Sequence, residues 1–91
     1  MTRVLVTAEI EDASKWEEGF RTHGELLKSM TATSSHYAIT DGNHVAVYTE
    51  VEDKARCLEV LASEATVEAM SVDGIKRDTV KIFVLDNEFK Y

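Results

Sequence analysis

Imidazole is the one side chain that exchanges a proton easily near neutral pH, and His23 is the histidine whose setting invites that use. It falls in the stretch 13–31, where at about 100° per residue Ala13, Trp16, Phe20, His23, Leu27 and Met30 share one arc, with Leu26, Gly19 and Gly24 at its margins. So apolar an arc must be buried. His23 is buried with it and needs a partner, because an unpaired polar group there would cost roughly 1–3 kcal/mol. It could serve as a general base or hydrogen-bond a ligand oxygen; the plainer reading is a core histidine bonded to a backbone carbonyl. Trp16 and Phe20, one helical turn apart beside it, could wall a planar ligand or simply fill the core. Gly19 and Gly24 each cost roughly 0.5–1 kcal/mol relative to alanine inside a helix, which close backbone approach or room for a ligand could offset.

What else can face His23 depends on a hairpin. If Asp41, Gly42 and Asn43 form a three-residue loop with Thr40 opposite His44, then His36, Ala38, Thr40, His44, Ala46 and Tyr48 share one sheet face, and Tyr37, Ile39, Val45, Val47 and Val51 the other. A two-residue loop would mix polar and apolar residues on both faces, so the first register is preferred. Its face of small side chains ringed by His36 and Tyr48 suits a cavity with a few polar contacts. His36 and Tyr48 therefore join Trp16, Phe20 and His23 as candidate ligand-binding residues, with His23 the candidate catalytic one. The same face could instead form an interface between subunits.

The remaining chemistry-bearing residues read as structural. Cys57 lies on an apolar helix face with no basic group placed to lower its pKa, which suits a small inert hydrophobe better than a nucleophile. A metal site would need His23, His36 and His44 to meet, and none shows the close spacing of H-x-x-x-H or C-x-x-C, so no metal and no cofactor is expected. Glu17, Glu18, Glu25, Glu64 and Glu68 read as a solvated surface.

These residues must be held by six elements. Residues 3–10 alternate Val4, Val6, Ala8 and Ile10 against Arg3, Leu5, Thr7 and Glu9, a strand pattern. Ser14 and Glu17 have capping-box spacing and begin one long helix over 13–31, with Glu17 and Arg21 paired at i,i+4 on its solvated side. A polar connection over 32–35, a short strand over 35–40, the Asp41-Gly42-Asn43 turn and a third strand over 44–51 follow. Glu52 and Asp53 offer a cap for a second helix over 54–62; Ser63 caps a further helical turn anchored by Val67 and Met70, and Asp73-Gly74 stops it. Residues 79–85 form the last strand. The order is β-α-β-β-α-β, an α+β ferredoxin-like sandwich with a four-stranded antiparallel sheet and both helices on one face. Uncharged residues on both faces of several strands call for a cover on the second face. A second copy of the sheet, packed by two-fold symmetry, is the economical one. The aromatic tail, with Phe89 and Tyr91, is expected to dock on that partner.

Composition narrows the function classes. The 91 residues make one domain, and 17 acids against 10 bases give a net charge of −7, which argues against nucleic acid and anionic membranes as partners. A single cysteine excludes an intrachain disulfide, and no run approaches the roughly 18 apolar residues of a membrane span. With no signal-peptide pattern at the start, a cytoplasmic setting is the default expectation.

The pattern resembles the dimeric α+β barrel superfamily, in particular its small bacterial members related to antibiotic-biosynthesis-monooxygenase-like and polyketide-cyclase-like proteins. The likeness is carried by Val4-Leu-Val-Thr-Ala-Glu-Ile10, by Ser14-Lys-Trp16 and Phe20-x-x-His23 followed by Glu25-Leu26-Leu27-Lys28, and by Ser63-Glu-Ala-Thr-Val-Glu-Ala-Met70. It implies a homodimer or higher even oligomer that holds a small apolar or aromatic ligand between helix layer and sheet, the side His23 should face. Monooxygenases and haem-degrading enzymes on this scaffold tend to carry a catalytic asparagine on the first strand. Residues 3–10 contain none, so that residue does not carry over. Three readings remain: a ligand-binding protein, a cofactor-independent monooxygenase or cyclase using His23, and an assembly module with a packed interior.

Overall fold

Period-two alternation makes each strand a boundary between two environments, and the strand register fixes which side chains share one. The computed structural model describes residues 2–85. In order they form β1 (Thr2–Glu9), α1 (Ala13–Phe20), α2 (Gly24–Ser29), β2 (Ala32–Ile39), β3 (His44–Val51), α3 (Lys54–Leu61), α4 (Glu64–Val72), a 3-10 turn (Arg77–Thr79) and β4 (Lys81–Leu85). The sheet is antiparallel throughout, in the order β2-β3-β1-β4, which is the ferredoxin-like βαββαβ arrangement with each helical segment divided in two.

The three-residue hairpin loop is observed. Thr40 N donates to His44 O at 2.9 Å, Ile39 pairs with Val45, and Asn43 takes the left-handed conformation at φ 56° that lets the chain turn back. Rows of cross-strand neighbours follow. Tyr37, Val47, Val6 and Ile82 form one row on the helix side, with Ser35, Thr49, Val4 and Val84 beside it. On the other side run His36, Tyr48, Leu5 and Phe83, then Ala38, Ala46, Thr7 and Lys81. Helix-side residues make two buried clusters: Val4, Met30, Val51, Cys57 and Val60 toward one end, and Ala8, Ile10, Trp16 and Val45 toward the other. The opposite face has no covering layer among the described residues, and Phe83 there is 45% exposed.

The expected single helix over 13–31 is two helices. Gly19 O, the acceptor that an α-helix would offer to His23 N, is taken by Thr22 through both its N–H (3.0 Å) and its hydroxyl (2.6 Å), and His23 N turns to Phe20 O at 3.0 Å. That tightened turn ends α1, and α2 restarts from His23. The apolar arc survives the break, since Trp16, Phe20, Leu26, Leu27 and Met30 all face the sheet side. α2 then ends on Thr31 at φ 64°, a left-handed conformation uncommon for a β-branched residue. Thr31 is held there because its carbonyl accepts from Glu52 N (3.1 Å) and its hydroxyl from Asp53 N (2.9 Å). With the helix stopped so sharply, residues 32–35 enter β2 rather than forming a connection, with a bulge between Ala32 and Ser34. The last strand likewise begins later than expected, after the 3-10 turn. The tail over 86–91 lies outside the described residues.

The first helix also has a different cap. Asp12, not Ser14, accepts the Lys15 N–H at 3.0 Å, while Asp53 and Ser63 cap α3 and α4 as expected. Replacing Asp12 by Ala is therefore expected to cost about 1 kcal/mol, whereas Ser14→Ala stays within roughly 0.5 kcal/mol; urea denaturation of the two variants checks the difference.

Candidate functional site

A cavity of about 90 Å³ lies between the sheet and the helices, in the space between the two core clusters. Its floor is Val6, Ala8, Val45, Val47 and Thr49; Trp16, Phe20, Leu26, Leu27 and Met30 cover it from α1 and α2, and Leu61, Ala69 and Met70 from α3 and α4. The polar side chains in its wall are His23, Asp73 and Thr49. Thr49 is occupied by Ser35, Oγ to Oγ1 at 3.0 Å.

His23 does find a partner, but it is a carboxylate rather than a backbone carbonyl. Its Nε2 lies 2.7 Å from Asp73 Oδ2, and the Asp73 side chain is only 4% exposed. Asp73 reaches this position because α4 ends on it, before Gly74 turns the chain away at φ 78°. Space for the carboxylate comes from Gly19: a Cβ there would stand 2.7 Å from Asp73 Cγ and closer still to its Oδ1. Close approach thus explains Gly19. Gly24 has open space around its missing Cβ. The contact joins the turn between α1 and α2 to the end of α4, at the side of the cavity.

Three of the candidate residues meet there. Trp16 and Phe20 stack with ring centroids 4.9 Å apart and 17° between planes, and both line the cavity with His23. Tyr37, placed by the register on the same side, completes the aromatic group edge-on at 5.0 Å from Trp16 and 5.5 Å from Phe20. Its hydroxyl donates to Glu17 Oε2 at 2.7 Å, and Glu17 in turn pairs with Arg21 at 3.6 Å. His36 and Tyr48 are not brought to His23. They are neighbours in the row with Leu5 and Phe83 on the opposite sheet face, because the parity that puts Tyr37 over the cavity puts them beneath the sheet. In the sequence Asp73-Gly74 registers only as a helix stop, and the glycine at position 19 marks a close approach without naming Asp73 as what approaches.

Among the described residues no three His, Cys, Asp or Glu side chains converge; His44 approaches Glu9 at 3.5 Å on the surface. Cys57 is buried at 1% exposure, and that burial pushes its thiol pKa up, away from thiolate reactivity. No helix among the described residues is long and apolar enough to cross a membrane.

No protein-family model matches the chain, and no curated protein does. Solved structures do match along nearly the whole chain. A protein from Bordetella bronchiseptica provisionally named an antibiotic biosynthesis monooxygenase superposes with a TM-score of 0.73 at 6% identity, covering 97% of each chain. At3g17210 from Arabidopsis thaliana gives 0.70 at 16%, covering 100% of this chain and 99% of that one. An antibiotic biosynthesis monooxygenase gives 0.63 at 14%, covering 97% and 99%. At such identities the likeness establishes the fold, the ferredoxin-like α+β fold of antibiotic-biosynthesis-monooxygenase-like proteins.

The two helix glycines should respond oppositely to alanine. Gly24→Ala is expected to stabilise by up to about 1 kcal/mol through helix propensity. Gly19→Ala should destabilise by about 1–3 kcal/mol, because the buried carboxylate has nowhere to go; chemical denaturation reads both signs.

Proposed function

We propose that this protein is a sheet-to-sheet homodimer that holds a small, largely apolar, aromatic molecule between its helix layer and its sheet. One observation carries the ligand reading: an apolar cavity with the paired His23 and Asp73 in its wall. A cavity that binds benzene in another protein measures about 150 Å³, so about 90 Å³ holds a single ring only with some added room. The flexible Met30 and Met70 in its lining can supply it by changing rotamer. The dimer reading rests on the uncovered sheet face, where Leu5, Ala46 and Tyr48 on the two central strands and the exposed Phe83 form a patch that a second copy would bury. An acidic, single-cysteine chain of this kind suits the cytoplasm.

A second reading is favoured by the same pair. A histidine held by a buried carboxylate is arranged to take a proton from a bound hydroxyl or activated C–H, the step that a cofactor-independent monooxygenase or a cyclase needs, and the fold neighbours named as monooxygenases support it. Trp16 and Phe20 would hold the substrate.

Native mass spectrometry of freshly purified protein is expected to show a dimer with retained small-molecule mass, and Leu5→Glu, which places a charge at the centre of the uncovered face, should move the mass to the monomer. A saturating aromatic ligand near 100 times its Kd should add about 2.7 kcal/mol and raise the Tm by several degrees; no response to any aromatic compound would leave an assembly module. His23→Gln, whose amide can still donate to Asp73, is expected to keep the fold but to abolish turnover if the second reading holds.

A further inference from the structure

The hydrogen bond between His23 and Asp73 decides more than where the ring sits. An ionised carboxylate only accepts, so with Oδ2 2.7 Å from Nε2 the proton of a neutral imidazole belongs on Nε2. Nδ1 is then bare. It makes no hydrogen bond to any described residue, and none of the described buried side-chain nitrogens or oxygens lacks a partner, so Nδ1 is open rather than sealed in the core. The ring lines the cavity. With Nε2 taken by Asp73, the ring nitrogen left to meet an incoming molecule is Nδ1, a lone pair with the Asp73 carboxylate behind the ring.

We propose that Asp73 is a positioning residue that makes the cavity selective for a neutral ligand whose polar end donates a hydrogen bond, an un-ionised hydroxyl or N–H on an apolar ring, and closes it to carboxylates of the same size. A donor pairs with Nδ1. A ligand of equal shape without a donor leaves Nδ1 buried and unpaired, and a carboxylate meets both the lone pair and the Asp73 charge. This rests on the ligand-binding reading above and adds the ligand's polar chemistry to it.

Phenol, anisole and benzoate separate the cases at similar size. The wild-type protein is expected to bind phenol about tenfold or more tightly than either of the others, the loss that one unpaired buried polar group implies. In Asp73→Asn the tautomer is no longer dictated, and the preference for phenol over benzoate should fall by about tenfold. A readout free of ligand accompanies it: the ring ¹⁵N shifts of His23 should report hydrogen on Nε2 in the wild type. Benzoate bound as tightly as phenol, a preference unchanged in Asp73→Asn, or hydrogen on Nδ1 would each overturn the assignment. If all three compounds bind alike, the cavity reading stands and the role of Asp73 falls. If none binds, the cavity reading fails and takes this inference with it. Should Asp73→Asn not fold, the wild-type preference and the ring tautomer decide alone.

Discussion

A carboxylate that is 4% exposed has to be satisfied where it lies, since leaving a buried charge without a donor costs more than one hydrogen bond returns. Much of the helix layer can be read from that requirement. Asp73 needs a donor, which His23 supplies; it needs room, which Gly19 leaves; and it needs to sit at a helix end, which the left-handed Gly74 makes possible. The turn that divides α1 from α2 belongs to the same set, because it sets the backbone from which the imidazole reaches across to α4. The contact therefore couples two helical segments that are otherwise separated by the cavity they share.

The sheet separates two kinds of surface. Every second residue of β1 and β3 faces the helix layer, where Val6, Ala8, Val45, Val47 and Thr49 floor the cavity, and the alternate residues build the uncovered face. The core is correspondingly not one cluster but two, with Val6 and Val47 paired between them beneath open space. Packing is normally continuous across a small domain, because a void deprives the side chains that line it of contacts. Here the void has aromatic walls and a single hydrogen-bonded pair of charged-type residues at its side.

Legibility in the sequence followed the range of the interactions involved. The strands, their order and the hairpin register were readable because alternation and an Asp-Gly-Asn turn are local signals, and the shared inward side of Trp16, Phe20 and His23 was readable because helical period survives a one-turn interruption, although only Trp16 is buried outright and the His23 side chain stays 21% exposed. The interruption was not. It depends on the Thr22 hydroxyl competing for Gly19 O, a contact that threonine makes in some helices and not in others. The stop at Thr31 was hidden for a similar reason: a C-terminal left-handed residue is usually glycine or asparagine, and threonine takes the position only with partners from the distant Glu52–Asp53 turn. Asp73 lies 50 positions from His23, beyond any spacing rule, so the identity of the histidine's partner had to come from three dimensions. His36 and Tyr48 were correctly grouped with each other, but nothing in their alternation says which side of the sheet the helices choose.

Thr31 has one more consequence, for how the molecule opens. The amides of Glu52 and Asp53 belong to exposed residues just beyond β3, and their hydrogen-bond acceptors are on Thr31 at the end of α2. A non-glycine residue held left-handed stores about 1–3 kcal/mol that is released when its partners let go. Fraying of α2 and solvent access at the start of α3 are for that reason a single event rather than two, and the exchange of those two amides measures a helix in which neither resides.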